Sequence, residues 1–107
     1  MMLITKEIAR KLPALYANDS KSASQIKVPL KLFNPCGAQT WYITEMDPDS
    51  GLMFGWADLG DPMFAELGYI SLDELKNVRL PFGLKIERDM YWNGNTTLRQ
   101  VMDGEVR

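Results

Sequence analysis

The chain has 107 residues and a formal net charge of −2, with 46% apolar and 24% charged side chains. That is one domain's worth of globular sequence, and its bulk charge argues against a nucleic-acid binder. It contains no histidine and a single cysteine, Cys36, which removes the commonest general base, the Ser-His and Cys-His nucleophile pairs, an intramolecular disulfide and a Cys-based zinc site.

In chain order, Thr5 is placed to cap a first helix carrying Ile8, Leu12 and Leu15, and Pro13 either ends it near Lys11 or starts a second short turn. Residues 18–24 are small and polar and read as a loop. From Gln25, Ile26, Val28, Leu30 and Leu32 alternate with Lys27, Pro29, Lys31 and Phe33, the period of a strand with one buried face. Pro29 cannot donate to a ladder, so an edge strand or a bulge is expected there. The turn Asn34-Pro35-Cys36-Gly37 leads into a β-rich run from Thr40 to Met46, and the pair reads as a hairpin. Asp47-Pro48-Asp49-Ser50-Gly51 is a strong turn signal, followed by strands over Leu52–Leu59 and Glu66–Ile70.

Ser71 and Glu74 have capping-box spacing ahead of a short helix over 72–78. Residues 84–92 read as a further strand or extended segment. Thr97 and Gln100 are set to cap a last helix that stops near Gly104. Consecutive strands joined by short turns are most simply antiparallel. The expected fold class is therefore α+β: a single domain over 1–107, an antiparallel sheet of four to five strands, and short helices mainly on one face.

Charge is unevenly distributed. Residues 1–31 carry six basic and two acidic side chains, and residues 76–107 six and four. Residues 32–75 hold no lysine or arginine and eight acids: Glu45, Asp47, Asp49, Asp58, Asp61, Glu66, Asp73 and Glu74. The plain explanation is that turns and helix starts favour carboxylates. The sharper one gathers Glu45, Asp47, Asp49 and Asp58 at one end of the sheet, joined by Asp61, as a negative patch for a basic protein partner. On strict alternation Trp41, Ile43 and Glu45 share one face, and Tyr42, Thr44 and Met46 the other. Trp41, Tyr42 and Trp56 are core candidates, or interface residues if they stay exposed beside the acids.

A second reading uses Glu45, Asp47, Asp58 and Glu66 in a small cation-dependent hydrolase, with Glu45 and Glu66 as an acid–base pair. A third uses Lys6, Arg10, Lys11, Lys27 and Lys31 as a weak phosphate-binding face, against the plainer role of solvated lysines guarding a helix and an edge strand. No cofactor or metal is expected, because neither a glycine-rich phosphate loop nor the ligand series of a calcium loop is present. Residues 1–10 lack the apolar run of a signal peptide, and no uncharged stretch approaches the ~20 residues of a membrane span. The expectation is a cytoplasmic protein.

Four separated blocks carry a resemblance: Leu3-Ile-Thr-Lys-Glu-Ile-Ala-Arg-Lys-Leu-Pro-Ala-Leu-Tyr, Thr40-Trp-Tyr-Ile-Thr-Glu-Met-Asp-Pro, Glu66-Leu-Gly-Tyr-Ile-Ser-Leu-Asp-Glu-Leu and Gly83-Leu-Lys-Ile-Glu-Arg-Asp. In this order they are similar to domain-of-unknown-function family 2958. The resemblance implies a small single-domain bacterial protein in a plasmid or other mobile-element setting, and supplies no catalytic residue. With it, the leading expectation is a non-catalytic accessory protein that binds another protein through Glu45, Asp47, Asp49, Asp58, Asp61, Trp41, Tyr42 and Trp56. An anti-defence role is a conjecture within that class, since a negative surface can occupy a site meant for phosphates.

Overall fold

A computed structural model describes residues 2–106; the two ends of the expected domain, residues 1 and 107, lie outside the described residues. Thr5 Oγ1 accepts from the Ile8 N–H at 3.2 Å and starts α1 (Lys6–Lys11), which stops before Pro13. The strands are β1 (Leu30–Phe33), β2 (Thr40–Met46), β3 (Leu52–Asp58), β4 (Glu66–Ser71) and β5 (Glu87–Arg88). Helix α2 (Leu72–Asn77) follows β4 directly, with the Ser71 hydroxyl accepting from the Glu74 N–H. Helix α3 (Leu98–Met102) opens on a complete capping box between Thr97 and Gln100. The sheet is antiparallel throughout, in the order β4-β3-β2-β1-β5.

The α+β class and the three helices stand as the residue pattern implies. Their placement differs, because both faces of the sheet are covered. On the first face Leu30, Leu32, Ile43, Met46, Met53 and Ile70 pack against Leu3 and Leu12 at the N-terminal end and Leu72 and Leu75 of α2. On the second face Tyr42 packs with Val28, and with Leu98 and Val101 of α3, flanked by Trp56 and Trp92. A chain this short can build two small cores because the sheet lies between them.

Two local devices decide which side chain faces which core. The first is Pro29. The alternation of residues 26–33 does not bury one face: Val28 enters the second core while Leu30 and Leu32 enter the first. Having no N–H, Pro29 breaks the ladder, and β1 begins only after it. Upstream, the Val28 N–H donates to the Thr96 carbonyl at 2.8 Å and Lys27 bridges Thr97. Nor is β1 an edge, since β5 pairs along its other side at Leu32–Arg88 and Phe33–Glu87.

The second device is a β-bulge at Thr44. Ile43 stands opposite Gly55 but Glu45 stands opposite Phe54, so one residue of β2 is extra. Strict alternation therefore fails beyond Ile43. Glu45 leaves the face of Trp41 and Ile43 for that of Phe54, and Met46 takes its place in the first core. The Thr44 hydroxyl donates to the Phe54 carbonyl at 3.1 Å, which ties the bulged residue to the facing strand. Five consecutive residues, Tyr42 to Met46, are buried as a result.

Candidate functional site

The acidic residues do not form one patch. Asp47 and Asp49 lie in the β2–β3 turn, whereas Asp58 stands opposite Thr40 at the other end of the hairpin. At ~3.3 Å per residue, the length of these strands separates the two ends by roughly 20 Å. Asp61 lies beyond Asp58, in the connection to β4. The expected grouping of Asp58 with Glu45, Asp47 and Asp49 is thus corrected by the register of the hairpin.

Several of these carboxylates are engaged locally. Asp47 accepts from the Ser50 hydroxyl at 2.7 Å and from the Asp49 N–H at 3.1 Å. The Ser50 hydroxyl first, then the Asp49 N–H, hold its carboxyl below the ordinary 3.8. Gly51 completes that turn at φ 74, a left-handed conformation that favours glycine. Asp58 accepts from the Gly60 N–H and Asp61 from the Met63 N–H, both at 3.0 Å. Glu66 pairs opposite Ala57 on β4, so the carboxylates of the hydrolase reading are spread along the sheet. Among the described residues no group of three or more cysteine, aspartate or glutamate side chains is arranged to hold a metal ion.

The aromatic candidates divide in the same way. Trp41 packs at the margin of the first core, Tyr42 is buried in the second, and Trp56 flanks the second. The two sheet faces separate Trp41 from Tyr42 and Trp56.

Basic residues behave differently. An open concavity of about 790 Å³ is lined by Lys11, Lys21, Lys27, Lys31 and Arg88, with Asp89 as its one carboxylate among the described residues. These cations come from α1, the loop after it, the approach to β1, β1 itself and β5. Two are anchored. Lys31 Nζ lies 3.5 Å from Asp89 Oδ2 and 5.5 Å from the centroid of Trp92, a cation–π contact. Arg88 donates to the Met2 and Leu3 carbonyls, at 2.6 and 3.1 Å, and ties the N-terminal segment to β5. Lys11 pairs with Glu7 only on the exposed surface of α1, at 3.6 Å. Among the described residues Lys21 and Lys27 have no ion-pair partner.

Trp92 lines this groove, donates its indole N–H to the Val28 carbonyl at 2.8 Å and packs on Tyr42 with ring centroids 5.6 Å apart. Tyr91, its neighbour in the chain, is 98% exposed. Of the basic residues that the sequence offers as a phosphate-binding face, Lys11, Lys27 and Lys31 line the groove. Lys21, Arg88 and Trp92 carry no sequence signal as site residues, because three distant segments must fold together before they meet. Lys6 and Arg10 of the basic N-terminal third do not line the groove.

Glu45 takes a different position from the other acids. It is 5% exposed. Its Oε1 accepts from the Tyr16 N–H at 2.6 Å, and its Oε2 lies 3.2 Å from the Thr44 hydroxyl, whose one proton it shares with the Phe54 carbonyl. The Met46 N–H donates to the Pro13 carbonyl at 2.9 Å, so residues 13–16 are strapped along the end of β2. The strap brings Tyr16 beside β4, where its hydroxyl lies 3.0 Å from that of Tyr69. Tyr69 is held above its ordinary 10.0, first by the Tyr16 hydroxyl, then by desolvation and by the charges of Tyr16, Asp19 and Glu45.

Among the described residues no helix is long and apolar enough to cross a membrane. No curated protein and no solved structure matches the chain. One family model, described as a protein of unknown function (DUF2958), matches residues 3–104. That match covers nearly the whole sequence, and the chain belongs to this family.

Proposed function

We propose that the protein is a non-catalytic binding module whose basic groove takes a polyanion, and that this polyanion is a single-stranded nucleic acid. The observation that carries the reading is the convergence, among the described residues, of five cations and one carboxylate on a single concavity. Local potential rather than net charge governs such docking, so a total of −2 is no obstacle. Trp92 in the lining and the exposed Tyr91 beside it favour a strand with unpaired bases, which stack on aromatic faces while lysines follow the phosphates.

The test is fluorescence anisotropy of a labelled oligothymidylate across a salt series. With Lys11, Lys21 and Lys27 as phosphate contacts, log K is expected to fall against log salt with a slope of roughly −2. Joint Lys21→Glu and Lys27→Glu substitution is expected to weaken binding by more than about tenfold and flatten that slope. Absence of binding at the lowest salt, or equal binding by the double variant, overturns the proposal. A polyglutamate peptide in a parallel arm distinguishes an acidic protein from a nucleic acid as the occupant.

One observation favours protein recognition as a second reading. The β3–β4 connection exposes Leu59, Met63 and Phe64 at 63%, 88% and 78%, interspersed along the chain with Asp58, Asp61 and Glu66. An exposed apolar segment interspersed with carboxylates suits a partner with an apolar pocket and basic edges. The anti-defence conjecture, which rested on one large negative surface, retains only this end of the sheet. Capture from the host lysate with wild type and Phe64→Glu decides it: a partner lost with the variant supports the reading, and identical capture removes it.

A further inference from the structure

We infer that the cavity lined by Tyr16, Glu45, Phe54 and Tyr69 is a binding site for an alkylated ammonium group. It goes beyond the groove and has the opposite sign. The cavity measures about 210 Å³ and is lined by three aromatic residues, Tyr16, Phe54 and Tyr69, two carboxylates, Asp19 and Glu45, and Leu15. Among the described residues no lysine or arginine lines it. Aromatic rings present negative faces to a cation, and an ammonium whose charge is spread over methyl groups needs few hydrogen-bond acceptors.

The carboxylate at the inner end points the same way. Glu45 is 95% buried, yet its two hydrogen bonds come from a backbone N–H and a hydroxyl, and among the described residues it makes no ion pair. A buried carboxylate without a counter-charge is costly, and a cation in the adjoining cavity supplies one. The walls are preformed: Phe54 and Tyr69 meet edge to face at 5.4 Å, and the Tyr16 and Tyr69 hydroxyls are linked. Tyr16 and Tyr69 remain 61% and 56% exposed, so the site opens to solvent. Tyr16 reaches it through a left-handed backbone at φ 70, which the Glu45 carboxylate fixes through the Tyr16 N–H.

Choline, its neutral isostere 3,3-dimethylbutanol, and a peptide with or without trimethyllysine are the probes. Amide chemical shifts and calorimetry of the full chain are the readouts. Choline is expected to bind in the millimolar range and shift the signals of Tyr16, Phe54 and Tyr69. The neutral isostere and the Glu45→Gln variant are each expected to lose about tenfold in affinity, because the cavity selects charge and not shape. Should Glu45→Gln fail to fold, Asp19→Asn carries the comparison, since Asp19 is exposed in a loop. Tighter binding of the trimethyllysine peptide than of choline assigns the group to a protein, and the reverse order to a free small molecule; both support the site. Choline without any shift, or an isostere that binds equally well, overturns it. Neither result bears on the groove, which is read with oligonucleotides.

Discussion

Gly55→Ala is expected to destabilise the protein by about 3 kcal/mol or more, the upper end of what overpacking costs. A Cβ at Gly55 would lie inside the van der Waals surface of the Tyr42 carbonyl oxygen, with the carbonyl carbon at 2.9 Å and Ile43 Cα at 3.0 Å. These are backbone atoms of the neighbouring strand and cannot rotate away. The close approach sits beside the bulge, where β2 shifts register between Ile43 and Glu45. Relief would require β2 to move off β3 in the middle of the sheet, and both cores depend on that pairing. For a domain of this size the loss corresponds to a fall in melting temperature of roughly 12–24 °C. Gly68 on β4 is the control, since a Cβ there meets nothing within 4 Å. Gly68→Ala is expected to be neutral or stabilising by up to about 1 kcal/mol, through lower entropy of the unfolded chain. Thermal unfolding followed by circular dichroism reads both. A Gly55→Ala protein as stable as wild type would show that the two strands do not approach so closely.

The same region shows what was legible in the residues and what was not. Turns and caps were legible, because their chemistry is local: Asp47 to Gly51, Thr5, Ser71 and the Thr97–Gln100 pair all act within a few residues of themselves. The side of the sheet on which a residue lies was not. Alternation assigns Glu45 to the face of Ile43, and one extra residue at Thr44 reverses it. Pro29 was legible as a break, but not as the point where Val28 and Leu30 part for different cores. Long-range charge was the least legible. A run of forty-four residues without a cation, 32–75, suggests a negative surface, yet an antiparallel hairpin carries Asp47 and Asp58 to opposite ends. The groove shows the converse, since Lys21 and Arg88 are distant in the chain and share one concavity.

Trp92 joins the groove to the second core, and its removal is expected to affect both. Its indole donates to Val28, its ring packs on Tyr42, and Lys31 lies over it. Trp92→Ala removes all three contacts. Because the side chain is only partly buried, the expected loss is about 2–3 kcal/mol, below the range for fully buried tryptophans. Trp92→Phe keeps a ring against Tyr42 and Lys31 but leaves the Val28 carbonyl without its donor, a cost of about 1 kcal/mol. Urea unfolding monitored by the fluorescence of Trp41 and Trp56 separates the two, and the order wild type, Phe, Ala is the expected result. Oligonucleotide affinity is expected to follow a different order. The phenylalanine variant retains a stacking face and should bind nearly as wild type. The alanine variant should bind weakly even where it is fully folded, because base stacking contributes ~1–3 kcal/mol per base. If both variants lose affinity only in proportion to their unfolded fraction, Trp92 is a structural residue of the second core and the aromatic part of the groove must be sought at Tyr91.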